Sequence, residues 1–400
     1  MRGLWWPSTA GSGGNAVDVP GLAALGSEYL VNSVSCASAG NCAAGGVYYD
    51  DSSQAHAFLV SEQGGVWGTA IEVQGPTGLN TGGYTEVTSV SCATPGNCAA
   101  GGYYWSSTSP NAHAFVVSEK NGKWRTPFDL GDNTSVVSVS CGGPGACVAV
   151  GSLSRYFIAG SSAAFLAVEK DGTWTKRIRV PGLGALKPFE VWMSSVSCVS
   201  PGNCAAVGAY SDGSLGYDGV DTYGFVVEER NGNWGRATKL TGSLGNYGNV
   251  TSVSCASPGN CAVGGTVASG TEYTPVYLAA FVMSEKNGKW SNEIERKVDE
   301  DPDSYGVGPS VDAVSCASAG NCAAVGFYAE HDLSNTEHAF VVAERNGVWG
   351  TGVDVPGTET VGGGGSVWAN AVSCASGGNC AIGGGSGDES HPYLAFVTSP

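Results

Sequence analysis

Charge is scarce in this chain. Of 400 residues, 18 are Lys or Arg and 35 are Asp or Glu, 13% in all, for a formal net charge of −17. No basic run interrupts the acidic excess. A nucleic acid or an anionic membrane surface would be repelled over most approaches, so both are excluded as partners. Helix formers are also thin: Lys and Glu are few, Met occurs 3 times, and no window shows helical periodicity. Apolar runs are short, and none is long enough to span a bilayer. The start, Met1-Arg2-Gly3-Leu4-Trp5-Trp6, lacks the apolar stretch of a secretion signal. Catalytic signatures are missing too: no Gly-x-Ser-x-Gly elbow, no His-Glu-x-x-His, no phosphate-cradling glycine loop opening a helix.

Against these absences stand 63 glycines and 14 cysteines. Every cysteine belongs to a Cys-x5-Cys pair: Cys36/Cys42, Cys92/Cys98, Cys141/Cys147, Cys198/Cys204, Cys255/Cys261, Cys316/Cys322 and Cys374/Cys380. The first cysteines lie 56, 49, 57, 57, 61 and 58 residues apart, which marks seven repeats of one unit. A five-residue turn places both Cβ atoms opposite each other, within disulfide reach. Zinc sites use closer pairs and need two of them to converge, and no redox Cys-x-x-Cys is present. The pairs are therefore read as seven structural disulfides, which need an oxidising compartment. The chain is expected to be secreted, its signal removed or lying upstream.

One repeat reads as four strands. In the second, Val87-Thr88-Ser89-Val90-Ser91-Cys92 alternates, 93–97 is a turn, and Cys98–Tyr103 returns. Ala114-Phe115-Val116-Val117-Ser118 is the third strand. Asn121-Gly122 is the signature of a type I′ hairpin turn, and Trp124 opens the fourth strand. The last two strands recur around Phe58…Trp67, Phe165…Trp174, Phe225…Trp234, Phe281…Trp290 and Phe340…Trp349. Seven such units predict an all-β, seven-bladed β-propeller spanning 1–400 as one domain. The cysteine hairpins are placed at 31–49, 87–104, 136–152, 193–210, 250–266, 311–328 and 369–384. The seventh unit stops after its third strand. Val17-Asp18-Val19-Pro20-Gly21 repeats Val353-Asp354-Val355-Pro356-Gly357, which follows Trp349 in the sixth unit. Residues 1–24 are thus predicted to supply the outer strand of blade seven and close the ring.

The two hairpin turns of each unit share one face and are short and uniform. The connections on the other face are long and differ in every blade, so function is expected there. They carry Tyr48, Tyr104, Trp105, Tyr156, Tyr210 and Asp212, and Tyr328. Trp192 and Trp368 sit six residues before the first cysteine of their blades and Tyr29 seven before its own, positions expected to ring a central channel. Aromatic rings flanked by Asp, Asn and Ser suit a sugar, whose C–H face stacks while its hydroxyls find polar groups. These ten residues are the candidate ligand site.

Other features read more plainly. His56, His113 and His338 share one slot before Ala-Phe, which points to a repeated structural hydrogen bond. His331, Asp332, Glu337 and His338 are a weak metal pattern. Asp299-Glu300-Asp301-Pro302-Asp303 offers carboxylates to Ca²⁺ but lacks the spacing of a calcium loop; no other cofactor is expected, and no metal ligand is assigned. Asn133-Thr134-Ser135 and Asn249-Val250-Thr251 match the glycosylation sequon. No carboxylate pair stands out as a glycosidase dyad, and no catalytic residue is assigned.

The unit Ser-Val-Ser-Cys-x-Ser-x-Gly-Asn-Cys, with Phe-Val-Val-x-Glu-x-Asn-Gly-x-Trp, resembles repeats of secreted proteins from actinobacteria and related soil bacteria over essentially the whole chain. Blade three departs from it, because Ala146 replaces the turn Asn. Ser118–Trp124 is also loosely similar to the Asp-box of sialidases, itself a structural turn. Both resemblances imply a propeller, a fold shared by many lectins. The expected function is a secreted, non-enzymatic, lectin-like protein whose partner is a glycan or cell-surface ligand. The alternatives are an extracellular scaffold for another secreted protein and a polysaccharide hydrolase or lyase.

Overall fold

The computed structural model describes residues 18–26, 28–73, 83–105, 111–153, 163–216, 219–240, 247–271, 274–292, 294–296, 309–329, 336–358, 365–375, 379–387 and 391–398. Among them helical structure is limited to two short 3₁₀ segments, Leu22–Ala24 and Leu183–Leu186, and to Thr358. Everything else regular is strand, grouped in seven antiparallel meanders that are the seven repeats. The fourth and fifth share one sheet through a single parallel bridge, Thr222 to Tyr247. The seventh has three described strands, Val367–Cys374, Asn379–Ser386 and His391–Thr398. The chain divides into two compact units, 1–180 with 200–203 and 181–199 with 204–400. The first holds blades one to three and the second essentially blades four to seven.

All seven predicted disulfides are present: Cys36–Cys42, Cys92–Cys98, Cys141–Cys147, Cys198–Cys204, Cys255–Cys261, Cys316–Cys322 and Cys374–Cys380. The second cysteine of the pair points inward. Cys42, Cys98, Cys147, Cys204, Cys261 and Cys322 are buried, and Cys380 is half-buried. The bridges clamp the first hairpin of each blade and are scaffold.

The five-residue turn expected between the paired cysteines is corrected. In blade one the strands are Glu28–Ser38 and Asn41–Tyr49, so only Ala39 and Gly40 are left to turn. Two residues likewise turn the chain before Cys98, Cys147, Cys204, Cys261 and Cys322. In blade seven Cys380 directly faces Cys374, and residues 376–378 lie outside the described residues. The reason is a bulge. Cys36 faces Cys42 and Ser38 faces Asn41, so Ala37 absorbs the extra residue.

Gly40 has φ +72°, and a Cβ there would stand 2.8 Å from the Gly65 nitrogen. That closeness has a purpose: Gly65 N–H donates to Gly40 O at 2.8 Å, tying the blade's two hairpins together. The bond recurs from Gly122 to Gly96, Gly172 to Gly145, Gly288 to Gly259 and Gly347 to Gly320. Blade three keeps it despite lacking the turn Asn.

The second hairpin turn is type I′ as predicted, with Asn121 at φ +53° and Gly122 at φ +76°. The fourth strand differs from its prediction, being broken in two. Val66–Trp67 and Ile71–Glu72 both pair with Ala55–Gln63, and residues 68–70 bend between them. The bend is used: Ala70 N–H donates to Pro20 O at 2.8 Å, anchoring the segment 18–26 on blade one.

Successive blades are joined by the recurring polar residues. Val90 N–H donates to Ser33 Oγ at 2.9 Å and Cys92 N–H to Ser35 Oγ at 3.0 Å. The same two bonds link blades two and three, four and five, and five and six. The Ser-Val-Ser of blades one, two, four and five thus satisfies amides that the next blade's first strand would leave unpaired. The third strand adds a second clasp. Trp124 Nε1 donates to Ser61 Oγ at 3.0 Å, and that hydroxyl donates to Glu119 at 2.7 Å. Trp174–Ser118–Glu169 and Trp349–Ser284–Glu344 repeat it. Between blades four and five Arg230 replaces the serine, bonding Glu228 at 3.1 Å and Glu285 at 2.6 Å. Around these clasps, Phe58, Phe115, Phe165, Phe225 and Phe281 are fully buried, and the apolar core lies between neighbouring blades.

Candidate functional site

The first strand of blade two, Thr85–Thr94, begins beside a cluster that no other blade repeats among the described residues. Tyr84 OH donates to Glu86 Oε2 at 2.7 Å and Tyr103 OH to the same oxygen at 2.9 Å. Asn32 Nδ2, from blade one, donates to Glu86 Oε1 at 2.6 Å and to Val87 O at 2.9 Å. Asn32 can reach across because it sits in the bulge between Val31 and Ser33. The two phenol rings stack at 5.8 Å. Trp105, 45% exposed, ends the second strand, and its N–H is held by Tyr84 O at 2.7 Å. Burial, then the Glu86 carboxylate, pushes Tyr103 up to about 12, and the same causes push Tyr84 higher. Both tyrosines therefore stay neutral donors at ordinary pH.

Glu86 occupies the slot six residues before its blade's first cysteine, the offset that selects Trp192 and Trp368. That slot holds Leu30, Glu86, Ser135, Trp192, Asn249, Ser310 and Trp368 in turn. Reading it through all seven blades would have found Glu86, which aromatic content alone passes over.

The predicted residues fall into three groups. Trp105, Trp192, Trp368, Tyr29, Asp212 and Tyr328 retain exposed or half-buried surface. The Trp368 indole lies so close over Gly385 that a Cβ there would stand 2.8 Å from the ring. Tyr29 OH reaches Asp18 at 3.5 Å, and Tyr328 OH reaches Asp354 at 2.8 Å. Tyr48, Tyr104 and Tyr210 are buried; here the structure corrects the expectation of sugar-stacking rings. Tyr48 and Tyr104 stack on His56 and His113 at 5.2 and 4.9 Å, as Tyr328 does on His338 at 5.3 Å. Tyr210 packs against Tyr223 and Phe225. Tyr156 lies outside the described residues.

The repeated structural hydrogen bond expected of the histidines is not found, since both ring nitrogens of His113 are buried without one. His56 Nε2 meets Asp50 at 3.1 Å and its Nδ1 meets Glu72 at 3.3 Å. His331, Asp332 and the acidic loop 299–303 lie outside the described residues. Among the described residues no three His, Cys, Asp or Glu side chains converge as metal ligands. In the two sequons, Asn133 sits in a turn at φ +56°, and Asn249 lies within a strand.

No protein-family model matches the chain, and no curated protein is similar to it in sequence. Solved structures share its fold. A polysaccharide lyase, Uly1, is 11% identical and covers 98% of this chain and 93% of its own, with a TM-score of 0.51. An α-L-arabinofuranosidase from Fusarium graminearum is 11% identical, covering 82% and 96%, at 0.42. A puromycin-hydrolysing peptidase from Mycobacterium tuberculosis is 10% identical, covering 92% and 52%, at 0.49. At such identities these are likenesses of fold. The expected non-enzymatic, lectin-like reading is nevertheless corrected, since one of the full-length likenesses of fold is to a polysaccharide lyase.

Proposed function

We propose that the chain is a secreted enzyme that cleaves a polysaccharide, acting at Glu86. One observation carries the reading: a carboxylate fixed by Asn32, Tyr84 and Tyr103 beside an exposed Trp, in a slot where the other six blades have no acid. The full-length fold likeness to a polysaccharide lyase supports it. Glu86 can take a proton from the carbon beside a uronate carboxyl, and a tyrosine hydroxyl can pass one to the departing glycosidic oxygen. The bond to that oxygen breaks and a carbon–carbon double bond forms. Trp105 offers the ring face against which a sugar stacks. Seven disulfides fit an extracellular setting, as does the likeness to secreted actinobacterial repeats.

The same proposal includes a closed ring. Val180-Pro181-Gly182 follows the fourth strand of blade three, and Pro181 O accepts from Ala237 N–H at 2.8 Å. Val19-Pro20-Gly21 makes the equivalent bond to Ala70 of blade one, and in the proposed ring the segment preceding it would supply the outer strand of blade seven. Val34 is 52% exposed, whereas Val90, Val139, Val253 and Val314 in its slot are 5–7% exposed. Closure against blade seven would bury it.

The test is incubation with polyuronate, sulfated and neutral polysaccharides. Elimination yields ultraviolet-absorbing unsaturated ends; hydrolysis yields reducing ends without that absorbance. Glu86→Gln is expected to lower turnover at least ~100-fold with melting unchanged. No new ends from any polymer, or full turnover by Glu86→Gln, overturns the reading.

A further inference from the structure

The acidic excess is not evenly spread. Between Lys120 and Arg179 there are eight Lys or Arg against four Asp or Glu, while the rest of the chain has ten against 31. The fold gathers most of these cations on the second hairpins of blades two and three. Lys120 and Lys123 flank the turn of blade two, and Arg125 follows its Trp. Lys170 ends the third strand of blade three, and Lys176, Arg177, Ile178 and Arg179 run along its broken outer strand. All but Arg177 of these cations are exposed.

Their partners are few. Arg177 is anchored, its Nη1 bonding Asp132 O at 2.9 Å and its Nη2 lying 3.9 Å from the Asp132 carboxylate. Lys170, Lys176 and Arg179 form no ion pair among the described residues. Charged side chains on an edge strand also discourage edge-to-edge pairing. Acids would serve that end equally well: Glu72, Asp129, Glu295 and Asp354 hold the slot of Arg179 in blades one, two, five and six, while Lys239 holds it in blade four. Lys239 sits over the Tyr223 ring, 3.5 Å from its centroid, whereas Arg179 forms no ion pair among the described residues, so the cation in blade three needs another reason.

We infer that the outer edge of blade three, with the adjoining hairpin of blade two, is a docking surface for an acidic polysaccharide chain. Choosing a polysaccharide among polyanions rests on the proposed activity. On a molecule that otherwise repels anions, a strip of unpaired cations gives a uronate or sulfate polymer one favourable approach, and binding should weaken steeply with salt.

The test measures binding of polygalacturonate, dextran sulfate, neutral dextran and single-stranded DNA over a salt series. The proteins are wild type, Lys176→Glu/Arg179→Glu, the milder Lys176→Ala/Arg179→Ala, and Glu86→Gln, with melting as the fold control. Polygalacturonate or dextran sulfate should bind at low salt, at least ~10-fold more weakly to the charge-reversed variant and intermediately to the alanine variant. Which of the two binds more tightly separates uronate from sulfate. Neutral dextran should not bind. Glu86→Gln should bind as wild type, and the charge-reversed variant should still cleave short oligosaccharides. Unchanged polymer binding by both strip variants overturns the surface, and DNA binding equal to that of polygalacturonate overturns the choice of polysaccharide. Strip-dependent binding without any cleavage would leave the surface standing and remove the enzyme.

Discussion

Glu119, Glu169 and Glu344 show how a single side chain can set the pH behaviour of this scaffold. Each is almost fully buried and accepts one serine hydroxyl from the preceding blade. Burial raises all three above the ordinary value of 4.5, the serine bond opposes the shift, and Arg125 opposes it at Glu169. A carboxyl with a higher pKa folded than unfolded binds its proton more tightly in the fold. Its stabilisation is complete below the ordinary glutamate range and is lost as pH rises through the raised value. The melting temperature should therefore fall as pH rises above the ordinary glutamate range and through the raised values. Glu119→Gln/Glu169→Gln should flatten that decline, and parallel pH curves for variant and wild type would rule the carboxyls out as its source.

At the scale of the element, the disulfide hairpin is a clamp held at one end of a two-ended strand. In blade two, Glu86 stands at the start of the first strand and Cys92 six residues on, about 20 Å away at the rise of an extended strand. Removing the bridge should therefore cost stability and spare chemistry. For Cys92→Ala/Cys98→Ala the chain-entropy estimate is about 2–2.5 kcal/mol. Denaturant unfolding and turnover together check this. Lost turnover in a variant that remains folded would show that the clamp also positions the site.

For the whole molecule, the decisive feature is what happens at the ends. Residues 18–26 anchor on blade one through Pro20 and pack Val19 and Leu22 into its core. A ring closed by both termini unfolds as one body, whereas an open array frays from its ends. Deleting residues 1–24 should destabilise the protein by at least ~3 kcal/mol, more than losing one disulfide, and broaden its melting transition. A deletion variant that melts sharply at the wild-type temperature would overturn the proposed closure of a ring by the N-terminal segment.

Much of this was legible in the residues themselves. The cysteine spacing determined the repeat number and the disulfides, and Asn121-Gly122 determined its turn, because both are local constraints carried by adjacent residues. The two-residue turn was not legible, since it depends on a bulge at Ala37 that only strand register reveals. Nor were the roles of Ser33, Ser35, Ser61 and Glu119, whose partners lie in the neighbouring blade 57–63 residues away. Tyr48, Tyr104 and Tyr210 looked like ligand platforms because composition cannot tell an exposed ring from one stacked inside a hairpin. Glu86 gained its meaning only when Asn32, from a bulge in the preceding blade, and Tyr103, from the paired strand, met it beside Tyr84. The sequence by itself determined a sevenfold disulfide-clamped scaffold, because its period is written in local contacts. Tertiary structure alone decided where that symmetry breaks, because a site is made by side chains that only packing brings together.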